Sequence, residues 1–159
     1  MDKKFSDENI KILEEHIKRY PTKQAVLLKA LWLAQDQFGW ISQDVMAYVG
    51  DYLGIAYEHV YGVANFYTMF EKRPAGKHHV QVCTNVSCML RGGYDVLDYI
   101  SKKLNINPGE TTPDNKFSLS QVECLGSCGT APMMQVNNDY HEDLTTEKID
   151  SILKSLSDS

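Results

Sequence analysis

All four cysteines of this chain lie in two tight pairs. Cys83 and Cys88 enclose four residues in C-T-N-V-S-C, and Cys124 and Cys128 enclose three in C-L-G-S-C. Four thiols arranged two plus two suit a tetrahedral metal site or an iron–sulfur cluster. Zinc sites favour pairs that enclose two to four residues, a range that includes both pairs here, so spacing alone does not choose between zinc and a cluster. Neither pair has the C-x-x-C spacing of a thioredoxin-like thiol enzyme. Two structural disulfides would require an oxidising compartment.

Composition frames these options. The chain has 159 residues, 43% hydrophobic and 23% charged, which is ordinary for a globular protein with a real core. A formal net charge of −5 argues against non-specific nucleic-acid binding, which needs a basic face. No apolar run approaches the ~20 residues of a membrane span, and Met1-Asp2-Lys3-Lys4-Phe5 lacks the apolar core of a signal peptide. A cytoplasmic setting is the expectation. There, thiols stay reduced and paired cysteines more often bind metal.

The elements that must position the cysteines fall into two regions that meet near Pro74, with expected domains at 1–75 and 76–159. The first region reads as a helical bundle. Ser6 can cap a helix with Ile10, Leu13 and Ile17 on one stripe, stopped by Pro21. Lys23 to Gln37 is apolar on most sides and ends at Gly39, which can take a left-handed cap. Ser42 can cap a third helix ending at Gly54, and a fourth covers Tyr57 to Asn65. Phe66, Tyr67 and Phe70 form an aromatic group that could face a partner, but core packing of the bundle is the favoured expectation, given the area aromatics bury.

The second region mixes strands and helices. His78 to Val82 alternates as a strand and delivers Cys83 at its end. From Met89 a helix carries Leu90, Tyr94, Leu97, Ile100 and Leu104, and Asn107-Pro108-Gly109 ends it. Thr112 to Asn115 is a turn. Phe117 to Val122 is a strand that delivers Cys124. Pro132 to Val136 and a segment around Tyr140 can form a hairpin, and a last helix begins near Thr145. The order is β-α-β-β-α, and the whole chain is α+β.

If the two cysteine-delivering strands are neighbours, the four sulfurs can converge at one edge of the sheet. The loops hold small donors (Thr84, Asn85, Ser87, Ser127, Thr130) and glycines (Gly126, Gly129) that allow close backbone approach. Amides and hydroxyls near sulfur stabilise thiolate charge and raise a cluster's potential. Cys88 is expected near a helix N-terminus, whose dipole favours an anion. Met133-Met134 can either shield the site or form plain strand. Lys72, Arg73 and Lys77 read as a solvated basic turn. No glycine-rich nucleotide loop is present.

Val82 to Gly93 (V-C-T-N-V-S-C-M-L-R-G-G) and Val122 to Met134 (V-E-C-L-G-S-C-G-T-A-P-M-M) resemble the two cluster motifs of the thioredoxin-like [2Fe–2S] ferredoxins. The intervening T-P-D-N-K-F-S-L is similar to the same family's turn and strand. Q-F-G-W-I from Gln37 and V-A-N-F-Y-T-M-F from Val63 are similar to one branch, the small flavoprotein-module subunits of bacterial NADH:quinone oxidoreductases. The resemblance spans roughly residues 22 to 155. Some members carry Ala where this chain has Ser127, and many differ at Thr130.

This resemblance implies that Cys83, Cys88, Cys124 and Cys128 ligate one [2Fe–2S] cluster in a thioredoxin-like C-terminal domain. The N-terminal bundle would help dock a larger subunit that binds NADH and FMN, and the cluster would exchange single electrons with that flavin. It implies no NADH or FMN site on this chain, other peripheral-arm subunits as neighbours, and a place at the inner face of the cell membrane without a span. Equivalent subunits serve soluble NAD-linked hydrogenases and formate dehydrogenases. A zinc-stapled structural adaptor is the alternative from another class. His78 and His79 read as packing or surface residues rather than ligands. Accordingly, Cys128→Ser is expected to perturb or abolish the visible absorption of the anaerobically purified protein, and His79→Ala to leave it intact.

Overall fold

The computed structural model describes residues 3–158, so the expected outer domain limits at residues 1 and 159 lie outside the described residues. Two compact units are divided between Pro74 and Ala75. Each has its own apolar core.

The first unit is helical. Helix α1 (Asp7–Ile17) is capped by Ser6, whose hydroxyl accepts the Asn9 N–H at 3.2 Å. It ends at Ile17, four residues before Pro21, which has no N–H to bond the Ile17 carbonyl and so stops the helix there. Residues expected to open the next helix instead form a 3-10 turn, Lys23–Val26, before α2 (Leu27–Phe38). Leu27, Ala30, Leu31, Leu33 and Ala34 bury most of α2, and Gly39 ends it with φ 83°. Ser42 caps α3 (Gln43–Leu53), its hydroxyl accepting the Val45 N–H, and Gly54 closes it with φ 69°. Helix α4 runs Tyr57–Phe66.

The aromatic expectation at the end of α4 is corrected for two of three residues. Phe70 is fully buried and packs edge-on against Trp32 with ring centroids 5.8 Å apart. Phe66 is 77% exposed, and Tyr67 is exposed beside it. The turn after Phe66 sends only Phe70 back toward the core.

The second unit is a four-stranded mixed sheet with helices. Strand β1 (His78–Cys83) is followed by α5 (Val86–Leu90), α6 (Gly93–Leu104) and β2 (Phe117–Val122). Then come β3 (Met134–Val136), β4 (Asp139–His141) and α7 (Thr146–Ser157). The strand order is β2-β1-β3-β4. β1 pairs parallel with β2, placing Cys83 opposite Val122, and antiparallel with β3. β3 and β4 form the expected hairpin, with Asn137 in the left-handed region at the turn.

Two details differ from the pattern reading. The helix expected from Met89 is two helices, broken at Gly92 with φ 90°. Leu90 therefore leaves the apolar stripe and stands 77% exposed, and Tyr94 is also exposed. Val96, Leu97 and Ile100 carry α6 onto the sheet instead, beside Val80, Val82, Leu119 and Val136. Ile149 and Leu153 of α7, capped by Thr145, complete that core. A right-handed crossover is the usual way to join two parallel strands, and α5 with α6 occupies that connection here.

Candidate metal centre

The parallel β1–β2 pair determines where the cysteines go. Strands that run the same way end on the same side of the sheet. Cys83 is the last residue of β1, and Cys124 follows two residues after the end of β2. Both cysteine loops leave from that edge. His78 and His79 lie at the opposite end of β1 from Cys83, roughly 17 and 13 Å away at the usual rise per residue. His78 is buried against Phe117 with ring centroids 5.4 Å apart, its Nε2 without a partner among the described residues. His79 Nε2 meets Ser120 Oγ at 2.8 Å.

The two pairs differ in setting. Cys83 and Cys88 are buried and form a small apolar cluster with Ala131 and Met133, against which Leu125 packs. Cys124 and Cys128 are exposed. All four are free thiols. Cys88 sits inside α5, whose first turn is fixed by Asn85: its side-chain oxygen accepts the Val86 N–H at 2.8 Å. Cys128 opens a 3-10 turn, Cys128–Thr130, after which the Ala131–Pro132 peptide bond is cis.

Burial pushes the Cys88 thiol up to about 11, with contact to Cys83 adding to the rise and the Met133 backbone amide opposing it. Cys128 also lies within electrostatic reach of Cys88. This sulfur resists carrying charge on its own near neutral pH, where a cation would be needed to hold it as a thiolate. On the other loop the Gly126 N–H points at Cys124 Sγ, 3.4 Å away. Each pair thus has a backbone amide directed at one of its sulfurs, as expected where thiolates are to be held. Among the described residues, no three His, Cys, Asp or Glu side chains are gathered tightly enough to hold a lone metal ion.

Gly126 brings its amide to the Cys124 sulfur as expected of a loop glycine, and a second close approach, between backbones, occurs at Gly93. Gly126 is required by its backbone, φ 78°, and, adjoining residues apart, no atom of the described residues lies within 4 Å of where a Cβ would be at Gly126 or Gly129. Gly93, which opens α6, is the crowded one. A Cβ there would stand 2.9 Å from the carbonyl oxygen of Cys83 and from the carbonyl carbon and oxygen of Cys88. Gly93 therefore lets α6 start directly against both cysteine backbones. Its sequence signal was the second glycine of R-G-G, which has no turn of its own to explain it. Met133 and Met134 are fully buried on alternate sides: Met133 walls the cysteine pair and Met134 joins the sheet core.

Two cysteine pairs on loops that leave the same end of a parallel strand pair, in an α+β unit with a β3–β4 hairpin, suit a class of iron–sulfur protein. Residues 13–157 match the thioredoxin-like [2Fe–2S] ferredoxin family, and the chain belongs to it. The family implies one [2Fe–2S] cluster, and the free thiols, apolar wall and sulfur-directed amides fit that group.

Among its relatives, the chain is 45% identical over 155 residues to the E subunit of NADH-quinone oxidoreductase from Rickettsia bellii, covering 96% of this chain and 93% of that one. It is 43% identical over 143 residues to the E 2 subunit of NADH-quinone oxidoreductase from Rhizobium meliloti, covering 90% of this chain and 85% of that one. In three dimensions it is similar to part of an NAD+-reducing [NiFe]-hydrogenase in the air-oxidized state, with a TM-score of 0.73 and 20% identity. That match covers 83% of this chain and 23% of the hydrogenase chain, and it shows a shared fold.

Two measurements check the geometry. In the reduced, metal-free chain at pH 8, an alkylating reagent mapped by mass spectrometry should label Cys124 and Cys128 before Cys83 and Cys88. With Cys88 raised to about 11, about one thiol in a thousand is ionised at pH 8, so its labelling should climb about tenfold per pH unit toward pH 11. Separately, Gly93→Ala should destabilise the chain by roughly 1–3 kcal/mol through overpacking and lower its iron content, read by thermal unfolding and metal analysis.

Proposed function

We propose that this chain is the [2Fe–2S] electron-transfer subunit of an NADH-quinone oxidoreductase, with Cys83, Cys88, Cys124 and Cys128 as the cluster ligands. The observation that carries this reading is the likeness to the E subunit of such a complex over 96% of this chain and 93% of the relative. A match of that extent includes the N-terminal helical unit as well as the cysteine unit.

When bound, the cluster supplies reversible one-electron chemistry and nothing that transforms a substrate. The chain's own residues do the rest. The buried pair Cys83 and Cys88 anchors one side behind Ala131 and Met133, which keep water from those sulfurs. The exposed pair, Cys124 and Cys128, faces outward. In this reading electrons pass to and from that outward side, because electron exchange with another protein needs the shortest path through the surface. The donor and acceptor is a flavin held with NADH by a larger partner subunit. The chain itself contains no glycine-rich nucleotide loop. No described helix is long and apolar enough to cross a membrane, which suits a peripheral place on the inner face of the cell membrane.

Anaerobically purified protein tests this. The expected result is a red-brown chain with about two irons and two sulfides, as a [2Fe–2S] group requires, bleached by dithionite, and co-purifying with a flavoprotein from its native source. A colourless chain containing one zinc would replace the reading with a structural adaptor. A loaded chain that co-purifies with a hydrogenase or formate dehydrogenase would move it to another complex.

A further inference from the structure

The loop that carries the exposed cysteines is tied from one side by a short segment outside both cysteine motifs. Glu142 follows β4, and its Oε1 accepts hydrogen bonds from the hydroxyls of Ser127 and Thr130, the latter at 2.6 Å. The two hydroxyls are also 2.8 Å from each other. Ser127 directly precedes Cys128, and Thr130 lies two residues after it. One carboxylate therefore closes a bracket around Cys128.

The same segment makes two more ties. The Tyr140 hydroxyl donates to the Leu125 carbonyl at 2.7 Å, between the two cysteines. The Asp143 N–H donates to the Thr130 carbonyl at 2.8 Å. Residues 140 to 143 thus meet the cysteine loop at three of its residues, on both sides of Cys128. Within the loop itself, the Thr130 N–H donates to the Ser127 carbonyl at 3.3 Å. The loop is exposed, and an exposed loop with few packed atoms holds its shape only through such ties. Bonds to an ionised carboxylate are the stronger ones among them. The two hydroxyls hold the Glu142 carboxyl below the usual carboxylate range, so it is ionised at neutral pH.

We infer that Glu142 is a positioning residue for the cluster: its carboxylate, by gripping Ser127 and Thr130 together, holds Cys128 in the one geometry that ligation needs. This rests on the reading of Cys128 as a ligand. Glu142 touches no sulfur. It acts through the backbone turn that presents one.

Full-length, cluster-loaded wild type, Glu142→Gln and Glu142→Ala separate this role from a general effect on folding. Glutamine keeps an acceptor oxygen of the same reach, and alanine removes it. The readouts are the rate of cluster bleaching by an iron chelator and the electron paramagnetic resonance line shape of the reduced protein. Glu142→Ala should lose its cluster at least about tenfold faster, the low end expected for losing the charge-assisted bonds to Ser127 and Thr130, with altered g-values or broadened lines. Glu142→Gln should restore the wild-type line shape and bring the loss rate to within about threefold of wild type, as a neutral acceptor makes a weaker bond. Equal rates and spectra for wild type and Glu142→Ala overturn the inference, as does a Glu142→Gln protein as labile as Glu142→Ala. A wild-type chain that carries no iron overturns the ligand reading, and this inference with it. A loaded wild type indifferent to both substitutions overturns this inference alone.

Discussion

The parallel pairing of β1 with β2 is the constraint on which the rest of the second unit depends. Cys83 lies opposite Val122, so the two cysteine loops start within one strand spacing of each other. Had the strands been antiparallel neighbours, the same cysteines would have emerged at opposite ends of the sheet. Parallel neighbours cannot be joined by a tight turn and need a crossover. The crossover here is α5 and α6, and α5 carries Cys88. One topological choice therefore places three of the chain's requirements together: the end of β1, the end of β2 and the helix that supplies the second thiol.

The site built on that junction is asymmetric. One pair is walled by Ala131 and Met133, and the other stands in an exposed loop. Burial stabilises the fold around the first pair but disfavours bare thiolate charge there, as the elevated Cys88 shows. Exposure leaves the second pair better solvated but poorly braced, and its bracing comes from Tyr140, Glu142 and Asp143. The β3–β4 hairpin thus has two tasks. It extends the sheet beyond β1, and it delivers the residues that hold the outer loop.

Much of this was legible along the chain because the relevant signals are local. Ser6 and Ser42 read as caps and act as caps, since a cap needs only its own side chain and an amide three residues on, and Thr145, read as the start of the last helix, caps it in the same way. Gly39 and Gly54 read as helix ends and take positive φ. The strands leading to both cysteine pairs were visible as alternating runs. What misled were residues whose fate depends on a partner distant in sequence. Leu90 fits the α6 stripe by spacing, but Gly92 turns the chain before that stripe begins. Phe66 and Tyr67 have the composition of core residues, yet the turn after α4 leaves them exposed while Phe70 is enclosed. Gly93 carries no conformational signal, because its need is for space against Cys83 and Cys88 rather than for positive φ.

The sequence by itself determined the thiol inventory, the spacing within each pair, the helix caps, the strands that deliver the cysteines and, through its motifs, the ferredoxin family. These are properties of short segments, fixed by side-chain chemistry and backbone preference over a few residues. Only the tertiary structure decided that both cysteine loops leave the same end of the sheet, that one pair is buried and the other exposed, that Gly93 packs directly against the cysteine backbones, and that Glu142 closes around Cys128. Those depend on which strands become neighbours and which loops face each other. Such pairings are selected by the packing of the whole unit, and no local pattern encodes a contact between residues 127 and 142.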